Sequence, residues 1–236
     1  MITLGVKLPF LDRAEAGRLL AKELSRHNIP AESVVLALPR GGLPVGFEVA
    51  KELELPLDVI VVRKLGVPWH QELAMGAIAG SVQVLDTSMI RQLGISREEV
   101  DEEVVREQAE LRRRETLYRS GRAATTATNL TAILVDDGLA TGSTMLAALR
   151  HVHTLKPAKV IVAVPVGSAE ACALMRLEAD RVVCLATPSP FVAVGKWYQE
   201  FEQLTDGEVQ SILARTYRRG PGPGVAGGTE RLSDLR

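Results

Sequence analysis

The sequence is poor in aromatic residues, which make up 4% of its 236 residues, and it has two cysteines, Cys172 and Cys184. Lys and Arg number 28 against 29 Asp and Glu, so the chain lacks the basic excess of a nucleic-acid or membrane-surface binder. No apolar run approaches the length of roughly 20 residues that is needed to span a bilayer. The N-terminus does not have the pattern of a secretion signal. We therefore expect a cytoplasmic protein with two reduced, buried thiols and neither a nucleic-acid nor a membrane partner.

Apolar runs and amphipathic stretches alternate along the chain, which has enough hydrophobic residues, 46%, for one α/β domain. The pattern predicts an open parallel sheet of about five strands with helices on both faces. Ser96 and Glu99 fit a capping box at the start of a long charged helix, whose charges we interpret as a solvated face. The predicted strands are 33–38, 58–62, 131–135, 159–164 and 181–185, with a hairpin at 73–78 and 82–85; the predicted helices are 13–27, 43–53, 97–119, 143–155, 169–177 and 206–217.

Chemistry-bearing residues follow three of the apolar runs. In parallel sheets, ligands bind at the carboxyl ends of the strands. The segments in question are 39–42 (Pro-Arg-Gly-Gly), Arg63-Lys64, and 136–144. We expect all three to meet at one edge of the sheet.

The segment 136–144 has the most specific pattern. An apolar strand ends in Asp136 and Asp137, and a loop of small and hydroxyl residues then enters a helix. The free N–H groups and positive dipole at the helix start suit a phosphate, and Gly142 lets an anion approach the backbone. The two carboxylates suit hydroxyls or a metal. The pattern therefore predicts a ligand that resembles ribose 5-phosphate. The segment matches neither the P-loop motif nor the dinucleotide-binding fingerprint.

Residues 135–144, Val-Asp-Asp-Gly-Leu-Ala-Thr-Gly-Ser-Thr, resemble the phosphoribosyl-pyrophosphate (PRPP) signature of type I phosphoribosyltransferases. The resemblance extends over about residues 12–213. It is strongest to a group of uncharacterised bacterial members that share Leu-Pro-Arg-Gly-Gly, Val-Arg-Lys-Leu-Gly and the motif from Phe191 to Phe201. It implies transfer of a phosphoribosyl group to a nitrogenous base, with release of pyrophosphate, in nucleoside metabolism.

The resemblance also implies residue roles. Asp136 and Asp137 would bind the ribose 2- and 3-hydroxyls, and Arg40 and Lys64 would neutralise the leaving pyrophosphate. A non-proline cis peptide is expected near Arg40. Mg²⁺ would be held mainly by substrate oxygens, with Asp136 and Asp137 as possible ligands and no all-protein cage. The full PRPP-binding set is Arg40, Gly41, Lys64, Asp136, Asp137, Gly138, Ala140, Thr141, Gly142, Ser143 and Thr144.

The acceptor is less well defined. Ala140 occupies a position where the family's hypoxanthine and guanine enzymes generally carry Asp, which argues against a 6-oxopurine without establishing adenine. Phe191, Val192 and Trp197 are candidates for base binding, although core packing explains the aromatic residues equally well. His70 and Glu72 are acid–base candidates, but an ordinary loop role is favoured for each.

Two alternatives to base transfer remain: a PRPP-binding regulatory protein without transfer activity, and transfer to an amine or water. We expect a phosphoribosyltransferase-like domain at 1–217, with a hood subdomain at about 66–130 and a hood tip at 118–122. The Gly/Pro-rich tail, 218–236, is expected to be disordered. The resemblance leaves a homodimer open.

Overall fold

The structure, a computed structural model, describes residues 6–217. Its strands form two sheets. The first is a five-stranded sheet in the order β2-β1-β6-β7-β8, in which every pair is parallel; the second is antiparallel, in the order β3-β4-β5. The parallel sheet of five strands is confirmed. The strands are β1 (Ser33–Ala37), β2 (Leu57–Val59), β3 (Val62–Val67), β4 (His70–Ala79), β5 (Val82–Leu85), β6 (Thr131–Val135), β7 (Lys159–Val166) and β8 (Arg181–Ala186).

Helices cover both faces of the parallel sheet. Because side chains alternate along a strand, Val35 and Ile133 belong to the core on one face, with α1 and α2, whereas Val34 and Leu134 belong to the core on the other, with α5 and α6. Both faces are therefore buried, as the continuous apolar runs predicted. The helices are α1 (Arg13–Leu24), α2 (Gly42–Glu52), α3 (Thr87–Leu93), α4 (Arg97–Arg119), α5 (Ser143–Thr154), α6 (Ala169–Met175) and α7 (Asp206–Tyr217), with 3-10 turns at Ser25–His27 and Val194–Trp197.

The apolar run 58–62 does not form one strand. Strand β2 ends at Val59, and Val62 already begins the antiparallel sheet. Ile60 and Val61 between them are buried, so hydrophobicity alone does not reveal the change of sheet. The predicted hairpin is confirmed as β4 and β5, which turn at Gly80 with φ +54°.

Helix α4 lies against β3 and is less solvated than its charges indicated. Its predicted capping box is present: the Ser96 hydroxyl accepts from the Glu99 N–H, and the Glu99 carboxylate accepts from the Ser96 N–H. Two of its acids are buried, however. Glu107 accepts from Arg63 Nε at 2.6 Å, and Glu103 accepts from the Gly66 N–H at 3.1 Å. Part of the charged face therefore binds the second sheet.

The position of Tyr118 differs from the mobile hood tip that was expected at 118–122. It lies in the last turn of α4 with 2% of its surface exposed, and its hydroxyl donates to Asp206 at 2.6 Å. Burial and that hydrogen bond raise the pKa of Tyr118 to about 12. It is a tether between α4 and α7 rather than a mobile tip.

Two further sequence predictions were that no segment spans a membrane and that the tail, 218–236, is disordered. In the part of the chain that the structure describes, no helix is both long and apolar enough to cross a bilayer. The predicted tail, 218–236, lies outside the described residues.

Candidate functional site

The acid pair stands at the carboxyl end of the central strand. All five residues of β6 are buried, and Asp136 and Asp137 follow its last residue directly. The Asp137 N–H donates to Asp136 Oδ1 at 2.8 Å. This contact holds the Asp136 carboxylate against the backbone of Asp137, at the edge where parallel sheets bind their ligands.

Helix α5 begins six residues further on with an open N-terminus. Gly142 has φ +85°, and no side chain caps the first turn at this position. Thr141 Oγ1 and Ser143 Oγ lie 3.2 Å apart beside it. Backbone N–H groups and hydroxyls at a helix start form a site of the kind that binds phosphate.

Ser168 anchors the loop between the acids and α5, a role that no feature of the sequence indicated. Its hydroxyl donates to the Ala140 carbonyl at 2.8 Å, and its N–H donates to the Leu139 carbonyl at 2.8 Å. The Leu139 N–H donates in turn to the Val166 carbonyl at 2.9 Å. The loop is therefore held along β7 and the start of α6.

The second predicted loop, 39–42, packs directly against the acids. The peptide bond between Pro39 and Arg40 is cis, as expected. A Cβ atom on Gly41 would lie 2.0 Å from Asp137 Oδ2, and one on Gly42 would lie 2.8 Å from the Asp136 Cα. Only glycine allows this approach of the two loops.

The two predicted cations lie in different surroundings. Lys64 is exposed on β3 of the second sheet, not at the end of a parallel strand as the sequence indicated. Burial raises the pKa of Asp136, and the charge of Lys64 opposes part of this rise, so Lys64 acts on the acid pair. Arg40 belongs to the loop 39–42, and its Nη1 lies 4.0 Å from Asp206 Oδ1.

Arg13 is the basic residue that touches the acid pair directly, and it was not predicted. Its Nε donates to Asp137 Oδ2 at 2.9 Å. Burial raises the pKa of both acids, and the charge of Asp137 raises that of Asp136 further. Arg13 opposes this rise at both positions, and Lys64 opposes it at Asp136. The two cations therefore favour the ionised pair.

The C-terminal aromatic segment also reaches the acids. The rings of Phe191 and Trp197 have centroids 6.3 Å apart, whereas Val192 is 74% exposed. The Trp197 indole nitrogen is buried and has no hydrogen-bond partner among the described residues. Tyr198 is the closest link, since its hydroxyl donates to the Asp137 carbonyl at 2.6 Å. Tyr198 lies within the motif from Phe191 to Phe201, and no binding role was predicted for it.

The two acid–base candidates lie at the start of β4, the middle strand of the second sheet. His70 and Glu72 belong to the exposed start of β4, where His70 pairs with Val67. They are strand residues rather than the loop residues that the sequence indicated.

The acid pair suits a cation that brings most of its own ligands. Across residues 6–217 no group of three or more His, Cys, Asp or Glu is placed to hold a metal. Asp136 and Asp137 offer hard oxygen ligands, which Mg²⁺ prefers, but Arg13 already occupies one oxygen of Asp137. The residues fit Mg²⁺ bound chiefly through ligand oxygens and water.

The fold is a parallel α/β sheet whose carboxyl edge carries an acid pair and an open helix N-terminus, an arrangement that suits a ligand with hydroxyls and a phosphate. The model of the phosphoribosyl transferase domain matches residues 11–195. The chain therefore belongs to the phosphoribosyltransferase family.

Two relatives illustrate the match. Proteins of two Mycobacterium tuberculosis strains, named "putative phosphoribosyl transferase", are 46% identical over 210 residues, which is 89% of this chain and 47% of theirs. The chain thus spans about half the length of the curated relatives it matches. The crystal structure of TT1426 from Thermus thermophilus is similar with a TM-score of 0.75 and 41% identity, covering 88% of this chain and 99% of that one.

Proposed function

We propose that this protein binds PRPP and transfers its phosphoribosyl group to a nitrogenous base, with release of pyrophosphate. One observation carries the proposal: Asp136 and Asp137 stand between the open N-terminus of α5 and the loop 39–42, in a chain of the phosphoribosyltransferase family. In PRPP, the ribose diol lies between the 5-phosphate and the pyrophosphate. The carboxylates match the diol, the helix start matches the phosphate, and the glycine loop matches the pyrophosphate.

The proposed reaction is a substitution at the anomeric carbon of the ribose. The bond from that carbon to the pyrophosphate oxygen breaks, a bond to the base nitrogen forms, and the nitrogen releases a proton. Asp136 and Asp137 accept hydrogen bonds from the ribose hydroxyls, and residues 140–144 hold the 5-phosphate. Arg40 and Lys64 offset the charge of the leaving pyrophosphate, which is the main electrostatic demand of the step.

Mg²⁺ is the proposed cofactor, and it would supply further positive charge at the pyrophosphate. Asp136 and Asp137 are the residues that would contribute to holding it. Both offer the hard oxygen ligands that Mg²⁺ prefers. Burial raises the pKa of both acids, and Arg13, joined by Lys64 at Asp136, opposes part of this rise.

We assign the acceptor end to the segment of Phe191, Val192 and Trp197. The buried indole nitrogen of Trp197 lacks a partner among the described residues, and its ring lies 6.3 Å from that of Phe191. A planar base would offer both a stacking surface and a hydrogen-bond acceptor. We further propose that residues 1–217 act as one domain, in which the hood at about 66–130 follows Lys64 in the chain and excludes water from the site.

The test is pyrophosphate release from PRPP and Mg²⁺ across a panel of purine and pyrimidine bases. Base-dependent release is expected. Release without any base would indicate transfer to water or to an amine in the buffer and would refute base transfer. PRPP binding by calorimetry without release would instead indicate a regulatory binding protein.

Asp136→Asn and Asp137→Asn keep the shape of the site but remove its carboxylates. We expect each to lower the rate at least about a hundredfold, because an amide is a weaker hydrogen-bond acceptor for a ribose hydroxyl. Asp101→Asn is the matched control, since that side chain is 67% exposed on α4. Equal activity of all three variants would show that the acid pair is not the site.

A further inference from the structure

Arg13 makes two directional contacts from a shielded position at the start of α1. Besides the bond from Nε to Asp137 Oδ2 at 2.9 Å, its Nη1 donates to the Glu202 carbonyl at 2.8 Å. The Arg13 and Asp137 side chains are 11% and 14% exposed. An ion pair shielded to this degree is weakened little by water, unlike an ordinary surface pair.

The surroundings of Arg13 restrict its guanidinium to one plane. Its central carbon lies 3.9 Å from the centroid of the Phe201 ring. The Phe201 ring lies 5.0 Å from that of Tyr198, whose hydroxyl donates to the Asp137 carbonyl at 2.6 Å. Asp137 is therefore held through its side chain by Arg13 and through its backbone by Tyr198.

Residues 197–202, the C-terminal arm, are themselves fixed to the segment that precedes Arg13. The Phe10 N–H donates to the Trp197 carbonyl at 2.8 Å, and the Gln199 N–H donates back to the Phe10 carbonyl at 2.8 Å. The Glu200 N–H then donates to the Leu11 carbonyl at 2.9 Å. Arg13 thus enters the site from a backbone that is paired with the arm.

We infer that Arg13 is a positioning residue, which fixes Asp137 to receive a ribose hydroxyl and joins this carboxylate to the C-terminal arm. The inference rests on the proposed function, since it assumes that Asp137 binds PRPP. Arg13 bonds to Oδ2, which leaves the other carboxylate oxygen, Oδ1, to receive the ribose hydroxyl. A carboxylate that is already oriented loses less rotational freedom when the ligand binds.

The first measurement is the Kd of PRPP, by calorimetry with Mg²⁺, for the wild type, Arg13→Gln and Arg13→Lys. Arg13→Gln is expected to weaken binding about ten- to hundredfold, as loss of a group that orients a binding residue commonly does. Arg13→Lys keeps the charge without the planar fork, so it should recover part of that loss. Arg18→Gln is the matched control, because Arg18 is exposed on the same helix. It should bind as the wild type does.

A double-mutant cycle then separates positioning from general stability. If Arg13 acts through Asp137, Arg13→Gln should change the Kd less than about twofold when Asp137 is already Asn. An equal loss in both backgrounds would mean that Arg13 only supports the fold, and would overturn the inference. Wild-type affinity in Arg13→Gln, or an Arg13→Lys variant as weak as Arg13→Gln, would also overturn it. Failure of the wild type to bind PRPP would instead refute the proposed function.

Discussion

Replacing Gly41 by alanine tests how the two loops of the site meet. The new Cβ would lie 2.0 Å from Asp137 Oδ2 and 2.8 Å from its Cγ, whereas ordinary contact begins at 3.4 Å. The Gly41 backbone has φ −64°, so alanine meets no conformational barrier there. The conflict is with the carboxylate alone, which must move by roughly 1.4 Å if the backbone stays in place.

Such a shift would break the contact of Asp137 with Arg13. The bond measures 2.9 Å and is largely shielded from water, so its loss leaves a partly buried charge without its partner. We expect the free energy of unfolding to fall by about 2–3 kcal/mol, somewhat below the cost for a fully buried pair. PRPP affinity should fall about a hundredfold, which is typical when a binding group is displaced by about 1 Å.

Urea unfolding and calorimetry with PRPP and Mg²⁺ measure the two effects. Gly207→Ala is the control, because its Cβ would have only Thr205 Oγ1 nearby, at 3.9 Å, and it lies within α7. That variant should gain about 0.5–1 kcal/mol of stability and bind PRPP normally. A Gly41→Ala protein of unchanged stability and affinity would refute this packing of the two loops.

Two further predictions concern Ser168, which holds the loop before α5, and the partly buried ring of His151. Ser168→Ala removes a helix cap and the bond to the Ala140 carbonyl, so it should cost about 1–2 kcal/mol by urea unfolding and also weaken PRPP binding in calorimetry. Ser96→Ala, which removes a cap far from the loop, should cost stability alone, and equal affinity losses in both would contradict this role. Burial and the charge of Arg119 lower the pKa of His151, so the folded protein favours the neutral ring. As pH falls below 6.5, the free energy of unfolding therefore decreases, by up to about 1.4 kcal/mol per pH unit. Urea unfolding between pH 7.5 and 5.5 should therefore give a smaller loss in His151→Gln than in the wild type, and identical slopes would rule this out.

Strands buried on both faces were predictable because short apolar runs that are rich in β-branched residues and lie between polar loops are typical of such strands. Strand β6 has the predicted bounds, and α7 also begins and ends where expected. Helix α3 was not predicted, although Asp86 caps it and Gly94, with φ +65°, ends it. None of its seven residues is fully buried, and a helix this short has too few turns to show a clear periodic apolar face.

The local part of the site was predictable, and its long-range part was not. Residues 136–144 form one segment, so their order along the chain already gives their order in space. Arg13 and Tyr198 are separated from Asp137 by 124 and 61 positions. In the sequence, Arg13 is indistinguishable from any charged residue at the start of an amphipathic helix. Its role follows only from the fold that brings α1 to the end of β6.

Asp137 is where these separate segments meet, so we expect its neighbours to tolerate little change. Gly41 limits the space on one side, Arg13 fixes one oxygen, and Tyr198 fixes the carbonyl. Because all three act on one residue, a change at any of them should alter the same ligand contact, and their effects should not add. The N-terminal helix and the C-terminal arm are thus parts of the proposed site, although neither contains a residue of the PRPP signature.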